Sequence, residues 1–444
     1  MNRREFLINA GLSASVASVL PASSLWGMTT PAYTGPLFVV VQVVGGWDVT
    51  SFCDPKMNVP GELEINHWAL DSEIQQAGNI RYAPWGSNSS FFDKYFDRML
   101  VINGIDAQTN SHDVGMRHNF SGRLSAGYPS IPALLGSIYA PDMPISWLNN
   151  GGYSESADII RFTRAGDPFA LKEIAYPSEK AWEGCNNDCP VIHNEDWEAI
   201  WQAQMQQLDE LRSQPMLLPW QQRHRDLHYS ARENAESLKA FADLIPNEAE
   251  LQVDGMNRQA LIALLSFKSG VAMTADLTPW TTGEGFDTHH NHDSAHEPAL
   301  KDVTDSVDFL WENAEQLGLA DRLTVILSSD FGRTPHYNDG GGKDHWPIGS
   351  TIFMQKNAPW GNRVVGVTDE GHNAIKLNPT TLQPDVNGTL IYPKHVMRAM
   401  RQLTGIIDHP LAQRFPLNNL ETFDFFNPAI QTPQGSGDPR NTLR

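Results

Sequence analysis

The sequence predicts an α/β fold built on a mostly parallel sheet, and three observations carry that prediction. Residues 37–44 (LFVVVQVV) and 323–327 (LTVIL) are short apolar runs with β-branched centres, the composition of strands covered on both faces. Residues 270–277, a helix-patterned stretch from Glu297 to Leu317, and residues 323–327 follow in strand, helix, strand order, the signature of a βαβ unit. The strand candidates also end in polar residues, and in open α/β sheets ligands bind outside the carboxyl ends of the strands.

Taken in order, the chain starts with Asn2-Arg3-Arg4-Glu5-Phe6-Leu7 and a mildly apolar Ala/Ser/Val/Leu segment to about residue 25. This resembles a twin-arginine export signal, so residues 1–28 are expected to be a signal peptide read by the twin-arginine translocase. A periplasmic or secreted location follows. The segment is short and contains polar residues, so no stable membrane span is expected. No Cys follows it, and a lipid anchor is not indicated. Residues 29–426 are expected to form the α/β domain, with residues 427–444 a loose tail rich in Pro, Gly and polar residues.

Within the domain, the strand at 37–44 ends in Gly45-Gly46-Trp47-Asp48, a tight turn that delivers a carboxylate. A second strand, 99–102, leads to Thr109-Asn110-Ser111-His112-Asp113. Ser111 has the chemistry of a helix N-cap for residues 114–124, or of a nucleophile beside backbone N–H groups. From Asn194 the period changes to three and four residues, through Trp197, Ile200, Trp201, Met205, Leu208 and Leu211. Residues 190–270 therefore read as a helical region, with further helices at 220–242 and 257–269. The strand at 270–277 leads to Phe286-Asp287-Thr288-His289-His290-Asn291-His292, and a helix is expected to open at Glu297-Pro298. The strand at 323–327 ends in Ser328-Ser329-Asp330. A glycine-rich turn (Gly340, Gly341, Gly342) then precedes Lys343-Asp344-His345. Residues 350–354 and 363–367 read as strands and 394–404 as a helix.

Composition narrows the function. A formal charge of −20 without a basic block argues against nucleic acid and anionic membrane as partners. Cys185 and Cys189 are spaced to pair in an oxidising compartment, leaving Cys53 odd. Asp48, the Ser111-His112 pair, Asp287 with His289, and Asp330 all stand at strand ends, and a loop adds Asp344 and His345. Parallel strands would bring these groups to one edge, where a cation must neutralise them. Asp287 and His289 are two apart and share a face in extended backbone, and mixed Asp/His ligation suits zinc or manganese better than calcium.

The ordered set GGWD, Ser111-His112, FDTHHNH, SSDFGR and GGKDHW resembles the alkaline-phosphatase-like superfamily. Within it, the set is similar to an uncharacterised family of twin-arginine-exported bacterial proteins, the domain of unknown function fifteen hundred and one. The resemblance implies a three-layer, mostly parallel sheet with helices on both faces, and in-line hydrolysis of phosphate or sulfate esters at a two-metal site. It implies a first metal, zinc, on Asp287, His289 and His345, with His290 nearer the phosphatase spacing and Asp344 close by. It implies a second on Asp48, Asp330 and the hydroxyl of Ser111, the nucleophile, with His112 as a substitute ligand. The phosphatases carry a His directly after the residue that matches Asp330, and this chain has Phe331, so the second metal is expected to be weaker. Arg333 and Lys343 are the expected contacts to a small anionic ester substrate. The alternative reading is a catalytically silent exported protein that uses the fold for binding or assembly, and Phe331 favours it.

Overall fold

The computed structural model describes residues 33–160, 162–164, 191–213, 235–246, 255–279, 285–417 and 420–430, with isolated positions between 172 and 225. The export signal, the Cys185/Cys189 pair and the tail beyond residue 430 lie outside the described residues. The strands are β1 (Leu37–Val43), β2 (Gln75–Ala77), β3 (Ile80–Tyr82), β4 (Met99–Asp106), β5 (Ser146–Asn149) and β6 (Phe162–Arg164). They continue as β7 (Ala272–Leu277), β8 (Leu323–Ser329), β9 (Gly332–Arg333), β10 (His345–Trp346), β11 (Ile348–Gln355) and β12 (Arg363–Val365). The helices are α1 (Asn88–Tyr95), α2 (His112–Ser121), α3 (Ile131–Tyr139), α4 (Asn194–Ser213), α5 (Ala235–Leu244), α6 (Gly255–Lys268), α7 (His292–Gln316), α8 (Pro393–Leu403) and α9 (Pro410–Gln413).

Eight strands form the central sheet in the order β12-β4-β11-β8-β1-β7-β5-β6. β1 lies between β7 and β8, parallel to both. Every residue of β1, β7 and β8 is buried. Because successive side chains point to opposite faces, complete burial means that both faces of these strands are covered. α3 and α6 both pack on β7, α7 packs on α6, and α2 packs on β8. The expected α/β architecture, a mostly parallel sheet with helices around it, is what the chain forms.

β11 departs from the parallel pattern by running antiparallel to both β4 and β8. The physical reason lies in the connection. After β8 the chain stays at the carboxyl edge to build the β9–β10 ribbon and then turns straight back, and a return without a crossover helix gives an antiparallel neighbour. β4 and β8, each antiparallel to β11, therefore point the same way.

The helix expected to open at Glu297-Pro298 begins five residues earlier, at His292, with Asn291 as its cap at φ +47°. Pro298 sits in the second turn, where its ring removes one helical donor. The gain that outweighs this loss is a buried stripe of His292, His296, Leu300, Val303 and Val307, spaced three or four apart. At the other predicted N-cap, Ser111 does precede α2, yet its hydroxyl makes no capping hydrogen bond.

Candidate metal centre

The parallel strands β1, β4, β7 and β8 bring their carboxyl ends to one edge, and the β9–β10 ribbon folds over it. Gly45 and Gly46, after β1, adopt φ +114° and +77°. A Cβ on Gly45 would lie 2.8 Å from the Asp287 nitrogen, and one on Gly46 would lie 2.9 Å from the Phe331 ring. Glycine is needed here both for the left-handed backbone and for the close approach. Their N–H groups point at Asp330, which accepts from Gly46 at 2.7 Å and from Gly45 at 3.2 Å.

Three imidazoles and one carboxylate meet above this turn. His345 Nε2 and His289 Nε2 each lie 3.1 Å from Asp287 Oδ1 and 3.1 Å from one another. His112 Nε2 lies 3.4 Å from Asp287 Oδ2 and is buried without a hydrogen-bond partner. Ligand atoms of His112, Asp287 and His345 all fall within 4.8 Å of one another.

The opposite nitrogen of each ring is held by an acceptor. His112 Nδ1 is 2.6 Å from Asp330 Oδ2, His289 Nδ1 is 2.8 Å from Asp344 Oδ1, and His345 Nδ1 is 2.8 Å from the Asn110 carbonyl. An acceptor at Nδ1 places the ring proton there and leaves a lone pair on Nε2. Three lone pairs and a carboxylate therefore face each other, a repulsive arrangement unless a cation lies among them. The donor set fits zinc, and the carboxylate or carbonyl behind each imidazole is the usual partner of a metal-bound histidine.

Neighbouring groups shift two members of the cluster. Burial raises the Asp287 carboxyl, but the hydrogen bond and the charge of Arg333 outweigh it and lower its pKa to about 2. The hydrogen bond to Asp330 raises His112 despite partial burial. The Asp287, His289, His112 and His345 side chains retain 42, 40, 31 and 22% exposure, so the cluster opens to solvent on one side. Phe331, buried, packs its ring on those of His112 and His345, with centroids 4.8 and 4.6 Å away.

Asp48 lies in a second, inner cluster. Its carboxylate accepts from Thr50 N at 2.9 Å, Thr50 Oγ1 at 2.6 Å and Ser51 Oγ at 3.1 Å, with His292 Nε2 at 3.1 Å and Lys343 Nζ at 2.6 Å. Burial raises this carboxyl, and the Lys343 charge with the His292 hydrogen bond reverses the effect and holds it well below the usual range. Burial depresses both His292 and His296, so both rings are neutral. They stack on each other at 4.5 Å and on Trp85.

Residues 195–399 match the family described as "Protein of unknown function (DUF1501)". That span runs from α4 into α8 and carries Asp287, His289, Asp330 and His345, with Asp48, Ser111 and His112 before it. No curated protein matches the chain. Among solved structures it is similar to the PsFucS1 sulfatase from Pseudoalteromonas sp., at 11% identity over 95% of this chain and 75% of that one, with a TM-score of 0.37. It is similar to alkaline phosphatase from the Antarctic bacterium TAB5, at 10% identity over 74% and 94%, TM-score 0.32. A third is Ps i-CgsB in complex with k-i-k-neocarrahexaose, at 7% identity over 88% and 75%, TM-score 0.36.

The residues expected for a first metal, Asp287, His289 and His345, are together in the structure, and His112 completes the group. His290 is exposed and turned to the glycine loop, where a Cβ on Gly340 would meet its Nδ1 at 2.5 Å. Asp344 faces Nδ1 of His289 rather than the centre of the cluster. Asp48 and Asp330 belong to separate hydrogen-bonded groups and do not meet at a common point. Arg333 and Lys343, expected at a substrate anion, are instead fully buried. Arg333 donates to the carbonyls of Gly46, Lys343 and Gly45 and to Asp287 at 2.5 Å, so four of its five N–H groups are engaged inside the protein. His292, His296 and Asn66 were not anticipated as site residues. The four-residue step from His292 to His296, continuous with the apolar stripe of α7, is the signal that points to the two histidines.

Proposed function

We propose that this protein is an exported metal-dependent hydrolase of phosphate or sulfate esters, with one metal held by His112, Asp287, His289 and His345. The observation that carries the metal is the convergence of three Nε2 lone pairs on Asp287, each ring fixed from behind. Partial exposure of that cluster supports catalysis over a purely structural role, because an open side lets substrate enter as a fifth ligand. The ester class comes from the motif order and from the chemistry it implies.

A divalent cation held by these residues would supply Lewis acidity toward an ester oxygen. The chain's own part is to hold that cation and orient the substrate. Arg333 keeps Asp287 charged, Asp330 and Asp344 keep the imidazole protons on the far side, and Phe331 fixes the planes of two rings. Ser111, exposed at the start of α2, stands next to His112 and is the candidate nucleophile.

The test is a screen of the zinc-loaded protein against generic phosphate monoesters, phosphate diesters and sulfate esters. Turnover abolished by chelator and restored by zinc is the expected result. Bound zinc without turnover on any of these esters would move the chain to the second reading, a metal-holding binding protein. That reading has one observation in its favour, since Arg333 and Lys343 are both engaged inside the protein. Among the described residues no helix is long and apolar enough to cross a membrane. For export, changing Arg3 and Arg4 to Lys is expected to retain the protein in the cytoplasm, and normal export of that variant would refute the assignment.

A further inference from the structure

The motif resemblance implies a second metal on Asp48, Asp330 and Ser111, and these residues do not fit one. Both oxygens of Asp330 are taken, by Gly45 N, Gly46 N, Ser329 Oγ, Phe331 N and His112 Nδ1. The Asp48 carboxylate is likewise enclosed by hydroxyl, backbone, imidazole and ammonium donors. We propose that the Lys343 ammonium is itself the second cation of this centre. It fills an oxygen cage formed by Asp48, Asn66 and Thr50 and leaves the centre with a single metal. The inference rests on the metal centre proposed above.

The geometry of the cage supports this. Lys343 Nζ lies 2.6 Å from Asp48 Oδ2, 3.1 Å from Asn66 Oδ1 and 3.3 Å from Thr50 Oγ1. A carboxylate, an amide oxygen and a hydroxyl are the ligands a hard divalent ion selects. Here they surround a cation tethered to the chain. Neither the Lys343 nor the Asp48 side chain has any exposure, so no solvent ion shares the cage. A buried pair this enclosed persists only when the remaining donors and acceptors are also satisfied, as they are.

The backbone of Lys343 ties together the two loops that carry the proposed metal ligands. The Lys343 N–H donates to the Thr288 carbonyl at 2.9 Å, between Asp287 and His289. The Lys343 carbonyl accepts from Arg333 Nη1 at 2.9 Å, and Arg333 in turn holds Asp287. The Thr288 hydroxyl is 2.6 Å from His292 Nδ1, and the other nitrogen of that ring faces Asp48. Lys343 therefore stands where the 287–289 and 343–345 loops join, without touching the metal.

The test uses the full chain with its first site loaded with zinc, probed with Mn²⁺ by equilibrium dialysis and electron paramagnetic resonance. Lys343→Ala removes the tethered cation and leaves the oxygens. It is expected to take up close to one Mn²⁺ per chain more than wild type, and its melting temperature is expected to rise with Mn²⁺ while that of wild type does not. Equal Mn²⁺ uptake by variant and wild type would overturn the inference. The double variant Asp48→Asn, Lys343→Met, which discharges the cage at similar volume, is expected to fold without Mn²⁺ and to bind no extra ion. If the double variant folds while Lys343→Ala stays unfolded even in Mn²⁺, the cage does not accept a free cation and the inference also fails. Zinc content of the wild type and of Lys343→Ala reads the first site separately, and Mn²⁺ uptake that only replaces lost zinc would also overturn the inference.

Discussion

His289 reaches the centre from an exposed loop, and what aims it is Asp344, which faces its Nδ1 from a side chain that is 55% exposed. That hydrogen bond is the largest cause of the depressed Asp344 carboxyl, ahead of the small opposing effect of burial. Asp344 lies at the surface, and its side chain otherwise accepts from the Asn338 amide at 3.2 Å, so removing it tests the orientation of His289 without disturbing core packing. Asp344→Ala is expected to fold normally and to weaken zinc binding by about 10- to 100-fold, the usual cost of losing the group behind a metal-bound histidine. Competition with a chromophoric chelator measures the change. Unaltered zinc affinity would mean that His289 is oriented by something else. His112 was legible from sequence as the neighbour of a candidate nucleophile and as a substitute ligand for the second metal, not as a partner of Asp287 and His345. Its place as a ligand depends on the Asp330 contact, made across 218 positions of chain, and no local spacing contains that information.

At the scale of elements, the sheet edge holds a further buried carboxylate away from the metal cluster. Asp276, in β7, accepts from Gln42 of β1 at 2.6 Å, from Trp147 of β5 at 2.6 Å and from Asn149 of β5 at 2.9 Å. Complete burial raises its pKa to about 7, and the three hydrogen bonds offset part of the rise. The folded chain thus holds a proton at Asp276 between its unfolded value of about 3.9 and about 7, where the unfolded chain has released it. Stability from this group is therefore lost as pH rises through that window. Asp276→Asn cannot titrate, so its stability relative to wild type should climb across the window and level off above it. Urea unfolding of both proteins at a series of pH values measures the difference, and a pH-independent difference would show that Asp276 does not titrate in the folded chain. The strands themselves were readable. β1, β7 and β8 declared themselves by apolar, β-branched composition, because burial on both faces leaves a continuous apolar record. The antiparallel course of β11 was not readable, since direction in a sheet is set by the connection and not by the strand's residues.

For the whole molecule, the topology explains why a site could be anticipated from scattered pieces. Parallel strands collect their carboxyl ends on one edge, so polar residues after β1, β4, β7 and β8 had to lie near one another. What the sequence could not tell was how the pieces divide. Asp287, His289, His345 and His112 form one partly exposed group, and Asp48, His292 and Lys343 form another, fully enclosed. The split follows from burial: a carboxylate sealed from water needs a permanent partner, and Lys343 is at hand, whereas the exposed group is left with lone pairs that an added cation would reconcile. The central claim is that this outer group holds a single metal. Metal analysis of the purified, extensively dialysed chain by inductively coupled plasma mass spectrometry tests it most directly, with His345→Ala alongside. Close to one tightly held ion per wild-type chain, and its loss in the variant, is the expected result. A His345→Ala protein that keeps its full metal content, or a wild-type chain that holds none after zinc loading, would contradict it.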